Sequence, residues 1–301
     1  MLVDGSYYAF RSFYAIRSLT APDGRPVNAL FGVIKALKRM MADLKPTHAA
    51  VAFDVGLPTA RLELLPDYKG NRAETPPDLD AQMPLIRSTV PLLGFRSLIT
   101  EGEEADDLMA SYTRAAREAG WETILATNDK DLMQLVGPGC LVYQPGKESY
   151  ALLGAAEVEA KWGVAPALIG DLLALTGDSS DNIPGVPGVG PKTAARWLQE
   201  AGSLEALLAD PEKIPEGKLR EAFLAARDVI VTNRRMVALR DRLPLPIPLD
   251  ELVIKPDWTA QVDLFRSLQF RTFLREAEAV LGSVNPAPAS HGSVTQAELF
   301  D

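Results

Sequence analysis

The chain has 301 residues, 47% hydrophobic and 24% charged, enough to bury one large core or two small ones and too apolar for a disordered or fibrous chain. Its 40 Asp and Glu against 31 Lys and Arg give a net charge of −9, which, taken as an average, argues against a phosphate-rich partner. A single cysteine, Cys140, and two distant histidines, His48 and His291, exclude an internal disulfide and a local zinc motif, so any metal here would be held by oxygen, the chemistry of Mg²⁺ or Mn²⁺. No run is long and apolar enough for a membrane span, and residues 1–5 lack the basic start of a signal peptide, so a soluble, cytoplasmic protein with no membrane partner is expected.

In chain order, Leu2-Val3-Asp4 reads as a short strand running into a helix through Tyr8, Phe10 and Tyr14, and Asn28 to about Leu44 repeats apolar residues at helical spacing. Ala49–Phe53 is a buried strand ending at Asp54. Residues 57–78 carry four prolines among charges and predict a long excursion or mobile segment. Helical spacing returns from about Asp80 to Leu93 and again from near Glu104 to Ala119, and Thr123–Ala126 is a further strand ending near Asp129. Alternating strands and helices predict an α/β fold with a mostly parallel central sheet. From about residue 155 the chain turns helical, with a Gly/Pro-rich link at 177–191, one basic helix over about 217–241, another helix over 257–281, and a linker-like end.

The acids are not spread evenly. Asp4 and Asp54 end strands, and Glu104-Ala105-Asp106-Asp107, Asp129-Lys130-Asp131 and Asp178-Ser179-Ser180-Asp181 form three clusters. Removing these nine from the 40 acids leaves 31 against 31 Lys and Arg, so the excess negative charge fits one pocket. Ligands of parallel sheets sit beyond the carboxyl ends of the strands. Glu104 and Asp107 share a helix face by their spacing, and Asp129 and Asp131 share one side of an extended chain. Carboxylates gathered this way tolerate one another only around cations, and a pair of divalent ions suits phosphodiester cleavage. Each cluster alone also reads as a helix cap or turn.

Gly188-Val189-Gly190-Pro191-Lys192-Thr193 fits neither a P-loop nor a dinucleotide fingerprint. It reads as a hairpin between two helices, its glycines permitting positive φ and presenting backbone N–H groups to a nucleic-acid phosphate, with Lys192 adding charge. The alternative is a tight structural turn. Arg61, Tyr68, Lys69 and Arg72 place cations beside an aromatic, a pattern able to guide a single strand, and Arg11 follows closely enough on Asp4 to reach the same pocket.

These motifs together resemble the structure-specific 5′ nucleases of the flap endonuclease family, most closely the 5′–3′ exonuclease domain of bacterial DNA polymerase I. The matching text is Val-Asp-Gly-Ser at 3–6, Ala-Phe-Asp at 52–54, Tyr-Lys-Gly-Asn-Arg at 68–72, Glu-Ala-Asp-Asp at 104–107, Thr-Asn-Asp-Lys-Asp-Leu at 127–132 and the run from Gly177 to Ala194. The resemblance implies a nuclease core over about 1–155 with a helical arch or clamp, a helix-hairpin-helix DNA-binding region over about 165–245, and C-terminal helices returning to the core. The nuclease domain then spans 1–282, with a flexible tail at 283–301. It further implies cleavage of 5′ flaps and 5′ ends of DNA, including RNA primer–DNA, by two Mg²⁺ (or Mn²⁺), with K⁺ at the hairpin. By motif, Asp4, Asp54, Glu104 and Asp106 hold the first metal. Asp129, Asp131, Asp178 and Asp181 hold or orient the second, with Asp107 supporting. Lys69 and Arg72 contact the scissile phosphate, Arg11 and Arg61 assist, Tyr68 stacks on a base, and Gly188, Gly190, Lys192 and Thr193 meet the duplex.

The polymerase relatives continue into further domains where this chain ends at Asp301, leaving a stand-alone nuclease or a fragment. The ending, with Gln296, Leu299 and Phe300, resembles a sliding-clamp-binding peptide. Two other functions stay open: a non-catalytic helix-hairpin-helix DNA-binding scaffold, and a related ribonuclease acting on RNA.

Overall fold

The computed structural model describes residues 1–56 and 58–284. Leu2–Asp4 (β1) is wholly buried and leads directly into Gly5–Ala15 (α1), followed by Asn28–Leu44 (α2) and Ala50–Ala52 (β2). Two short helices, Thr59–Leu64 (α3) and Pro77–Asp80 (α4), precede Met83–Leu92 (α5) and Arg96–Leu98 (β3). Ala105–Glu118 (α6), Thr123–Ala126 (β4), Cys140–Pro145 (β5) and Tyr150–Leu153 (β6) complete the first half. The second half is helical: Ala155–Trp162 (α7), Ile169–Thr176 (α8), Pro191–Ala201 (α9), Leu204–Ala209 (α10), Lys218–Ala225 (α11), Arg227–Met236 (α12), Trp258–Ser267 (α13) and Arg271–Val284 (α14).

The six strands lie in the order β3-β2-β1-β4-β5-β6, parallel throughout except for β6. Strand alternation splits the core in two. Leu2, Ala50, Leu125 and Val142 face α6 and the helices of the second half, whereas Val3, Val51, Ala126 and Tyr143 face α1, α2, α5, α13 and α14. Both faces are therefore covered, as a parallel sheet requires. The close seating of α2 on α1 depends on Gly32, where an added Cβ would stand 2.4 Å from the Cβ of Ser12. Asn28 closes the turn between them, its Nδ2 donating to the carbonyls of Phe13 (3.0 Å) and Ile16 (2.7 Å).

The α/β fold with a mostly parallel sheet is present, and several local expectations need correction. The stretch between α5 and α6 contains a third parallel strand, β3, and β5–β6 form an antiparallel hairpin, both short elements without a clear alternation. The basic stretch 217–241 is two helices broken at Ala226, and 257–281 breaks at Gln269, whose φ of 55° no glycine announces. The Gly/Pro-rich link, by contrast, lies where the sequence placed it, from Gly177 to Gly190 between α8 and α9. Residues 58–78 are not a free excursion: Lys69 N–H donates to Asp181 O (3.0 Å), Asn71 Nδ2 to Ser179 O (2.7 Å) and Asn182 Nδ2 to Asp67 O (2.7 Å). Backbone pairing of Ile254 with Thr47 and of Asp257 with Leu92 brings the chain back to the sheet before α13 and α14. Among the described residues, no helix is long and apolar enough to cross a membrane.

Candidate active site

Acids from separate elements gather at the carboxyl end of the sheet. Asp4 ends β1 and caps α1, its Oδ1 accepting the Tyr7 N–H (2.8 Å) and its Oδ2 the Thr127 hydroxyl (3.1 Å). One strand over, Asp54 accepts the Ala105 N–H (2.9 Å) and so fixes the start of α6 beside it. On the other side, Thr127 Oγ1 accepts the Asp129 N–H (2.9 Å), and Asp129 Oδ1 accepts the Asp131 N–H (2.8 Å). Thr127 thus links the carboxylates beyond β1 and β4. Asp178 and Asp181 arrive from the glycine-rich link, Asp178 gripped by the Ser180 hydroxyl (2.6 Å) and by Lys130 Nζ (2.9 Å).

Helix α3 and the segment after it lay their polar groups across these acids. Lys69 and Arg61 both pair with Glu104, and Arg72 pairs with Asp181. The Tyr68 hydroxyl stands between two carboxylates, 3.2 Å from Glu104 Oε1 and 3.0 Å from Asp181 Oδ2, with its one proton to donate between them. Lys69 and Asn182, at the heart of this contact, have left-handed backbones (φ 57° and 58°), a conformation that surrounding structure must hold.

Three assignments are corrected by this geometry. Asp107 is held in an ion-pair network: Arg61 grips it through both terminal guanidinium nitrogens (2.7 and 3.0 Å) while also pairing with Glu104, and the Arg240 N–H donates to it (2.9 Å), so both its oxygens are already engaged. Arg61 is itself buried and fully engaged, and is not offered to a phosphate; the ring of Tyr68 is 7% exposed and, in this arrangement, not placed to stack on a base. Arg11 is exposed on α1, its guanidinium 6.0 and 5.9 Å from the rings of Tyr7 and Tyr8, and pairs with no carboxylate among the described residues.

The electrostatics divide the acids. Burial, with Asp54 and Asp129 nearby, pushes Asp4 up to about 7. Burial is also the leading cause for Asp106, raised well above the usual range with Asp129 and Asp4 adding, and for Asp131, raised with Asp129 and Asp178 adding. Asp129 is raised by burial and by Asp181 and Asp178. At Asp178 burial works upward, but the Ser180 hydroxyl and Lys130 outweigh it and hold the carboxyl below its ordinary value.

Among the described residues, no group of three or more His, Cys, Asp or Glu side chains forms a ready-made cation site. The expected cradle is therefore not preformed: Lys69, Arg72 and Lys130 stand among the acids. The donor set nevertheless fits a hard divalent ion. The buried Oδ1 of Asp131 has no hydrogen-bond partner, and the Asp129 carboxylate helps to raise Asp4, Asp106 and Asp131, a cluster of oxygen donors that suits such an ion.

At the glycine-rich link, Gly188 has φ 79°, whereas Gly190 has φ −95° and simply begins α9. The tightest backbone approach lies elsewhere, at Gly185, where a Cβ would stand 2.1 Å from the Thr176 carbonyl. Lys192 is exposed and Thr193 half-buried on the first turn of α9. Gln296, Leu299 and Phe300 lie outside the described residues. Sequence reasoning missed Thr127, Lys130 and Arg240; the first two were legible as the polar neighbours of Asp129 in 127–131.

Two family models match end to end: the 5′–3′ exonuclease N-terminal resolvase-like domain over residues 1–163, and the 5′–3′ exonuclease C-terminal SAM fold over 164–260. The DNA polymerase I of Rhizobium leguminosarum is 41% identical over 288 residues, 92% of this chain and 28% of the relative. The thermostable DNA polymerase I of Thermus aquaticus is 38% identical over 276 residues, 92% of this chain and 32% of the relative. The chain thus spans under a third of these polymerases. In fold it is similar to the T5 5′-exonuclease with bound divalent metal ions (zinc), with a TM-score of 0.66 at 20% identity over 93% of this chain and 98% of that one. It is also similar to the catalytic core of Rad2 in complex with a DNA substrate, with a TM-score of 0.60 at 17% identity over 93% and 91%. With both models matched in sequence order across residues 1–260, the chain belongs to the 5′–3′ exonuclease family.

Proposed function

We propose that this chain is a structure-specific 5′ nuclease, hydrolysing DNA phosphodiester bonds at 5′ flaps and 5′ ends, primer-bearing strands included, during replication and repair. The observation that carries the reading is the meeting of acids from β1, β2, the start of α6, the end of β4 and the 177–190 link, with the Asp131 Oδ1 left without a donor among them. Asp4, Asp54, Glu104 and Asp106 would hold one ion, and Asp129, Asp131, Asp178 and Asp181 a second. Bound there, Mg²⁺ or Mn²⁺ supplies Lewis acidity to the phosphate and lowers the pKa of an attacking water.

The chain's own residues do the rest. Thr127 fixes Asp4 and Asp129 relative to each other, and the Arg61–Asp107 pair anchors α3 to α6 so that residues 68–72 stay over the acids. Lys69 and Arg72 exchange Glu104 and Asp181 for phosphate oxygens of the strand, where they offset charge that develops during cleavage. Gly188, Gly190, Lys192 and Thr193 meet the duplex backbone, with K⁺ at that hairpin. The working division is a sheet core over about 1–155, a DNA-binding region over about 165–245 and returning helices to 282, with Gln296, Leu299 and Phe300 docking on a sliding clamp.

The scaffold reading draws on one observation: with no ready-made cation site among the described residues, several acids are already neutralised by Lys69, Arg72 and Lys130. A labelled 5′-flap DNA incubated with Mg²⁺ and with EDTA separates the two. The nuclease reading expects cleavage with Mg²⁺ alone, and single-stranded RNA to be a poorer substrate. Binding without cleavage in both would overturn it in favour of a scaffold.

A further inference from the structure

A cavity of about 390 Å³ opens between α1, α2 and β5, on the face of the sheet opposite the glycine-rich link. That is the size of a small-ligand pocket. Its floor is apolar and aromatic, from the buried Tyr8, Tyr143 and Met40, while Arg11, Lys35 and Arg39 stand round its wall. Arg39 is engaged, 3.4 Å from Asp43 and donating to the Ser149 carbonyl (3.0 Å), and Tyr143 donates to Asp43 (2.6 Å). Arg11 and Lys35 are exposed and have no acidic partner among the described residues. With the tyrosine rings closed beneath it, the accessible lining is aliphatic (Ala15, Ile16, Ala36, Pro145), and an apolar wall beside uncommitted cations suits a ligand with a flat apolar face and an anionic group: a nucleotide.

The position of the cavity says which nucleotide. Asp4 caps α1, and Tyr8 and Arg11 follow one and two turns along the same helix, roughly 6 and 10 Å away at the helical rise. The acids at the sheet edge therefore lie between the two faces, the glycine-rich link on one and the cavity on the other. A strand held as duplex at the link and crossing the acids emerges toward α1. In a 5′ nuclease the duplex is what stays bound and the 5′ portion is what leaves. We infer that this cavity is a subsite for a nucleotide of the single-stranded 5′ portion, with Lys35 and Arg11 on its phosphates and its base against the accessible apolar lining of Ala15, Ile16, Ala36 and Pro145. The inference rests on the nuclease reading for the polarity of the strand, though not for the existence of the site.

Lys35 decides it, because it is exposed on α2, makes no ion pair among the described residues and takes no part in the carboxylate site. Binding is measured in EDTA, without cleavage, using 5′-flapped DNA and the same duplex without a flap, for the wild-type chain, Lys35→Ala and Lys35→Glu. Lys35→Glu is expected to weaken flapped DNA by about tenfold, and Lys35→Ala to flatten the salt dependence of that binding by about 0.7, one single-strand phosphate. Flapless duplex should be unaffected by either. Ala36→Trp, which fills the cavity without changing charge, should weaken flapped DNA selectively as well. Equal losses for both DNAs would show a diffuse charge effect and overturn the subsite, as would no loss for either. Should the wild-type chain fail to cleave flapped DNA with Mg²⁺, the nuclease reading falls by itself, while the flapped-against-flapless comparison still decides the cavity.

Discussion

Asp106 and Asp107 are neighbours in the first turn of α6 and occupy opposite electrostatic settings. Asp107 points into a closed ion pair, with every oxygen committed to Arg61 or to the Arg240 N–H. Asp106 points at other acids, and burial with Asp129, Asp4 and Asp54 around it pushes its carboxyl well up. The same division runs through the whole site. Arg61–Asp107 is a finished pair that holds α3 against α6, whereas Asp4, Asp106, Asp129 and Asp131 form an unfinished set that costs stability until a cation arrives. A fold retains such repulsion where function uses it. The two regions should therefore respond in opposite ways to loss of an acid.

Asp131→Asn gives the largest effect and tests the unfinished side. It removes a buried, repelled carboxylate whose Oδ1 has no donor, so the metal-free protein should be as stable as before or more so, while cleavage of a 5′ flap with Mg²⁺ should fall by about 10³-fold or more. Single-turnover kinetics and a thermal melt in EDTA check the two halves. A marked drop in melting temperature with near-normal cleavage would put Asp131 on the structural side.

Arg61→Met attacks the finished side. Breaking one partner of a buried pair strands the other, here Asp107 with a side chain 1% exposed, so about 3–5 kcal/mol of stability should be lost in urea unfolding. Adding Asp107→Leu should return much of that loss, because the stranded charge goes with it. A double variant no better than the single would show that Arg61 acts mainly through Glu104.

The helices and the acidic strand ends were largely legible in the text of the chain. Asn28–Leu44 carries its apolar face at every turn, and Asp4 and Asp129 follow buried runs that only a strand explains. What failed is instructive. Helical spacing pairs Glu104 with Asp107, and they do share a partner, but that partner is Arg61, brought from more than forty residues away. Periodicity within one element cannot report which cation will arrive from another. The break at Gln269 was hidden for a different reason: local backbone bonds close the end of α13 there, Phe270 N–H to Phe265 O at 2.9 Å, with a positive φ that no glycine or proline marks. Strand β3 is too short for any alternation to stand out.

The pH dependence of the metal-free chain sharpens the same contrast at a smaller scale. A carboxyl raised in the folded state keeps its proton where the unfolded chain has lost it, so the native state binds more protons between about 3.8 and 7, the window set by Asp4. Stability in EDTA should then fall as pH rises through that window, with Asp106, Asp129 and Asp131 acting in the same direction. Asp178, held low, has the opposite sign, but its contribution is lost only as pH falls below about 3.8, outside the window. Melting temperatures at pH 5 and 7.5 should therefore rank pH 5 higher, and Mg²⁺ should narrow the gap by stabilising the ionised acids. A melting temperature that climbs from pH 5 to 7.5 in EDTA would mean that the ion pairs with Lys69 and Arg72 dominate the site.

The smallest effects are expected at the two glycines of the hairpin, which the sequence alone treats as equivalent and the structure does not. Gly188 has φ 79° with Leu219 Cδ2 3.2 Å from where a Cβ would stand, so Gly188→Val should cost about 1–3 kcal/mol through backbone strain, with loss of duplex binding following from a distorted link. Gly190 has an ordinary φ and nothing within 4 Å of its Cβ position, so Gly190→Ala should cost only about 0.5–1 kcal/mol, the difference between the two residues as a helix N-cap. That open space is where a phosphate would approach the start of α9. Gly190→Ala is accordingly expected to weaken duplex DNA severalfold while the melting temperature moves little, the signature of a contact surface. If Gly190→Ala leaves the duplex Kd untouched and Gly188→Val lowers affinity only in step with stability, the link is a structural turn and the duplex is gripped elsewhere, with the exposed cations Lys218, Arg227 and Arg235 of α11 and α12 next to be tested.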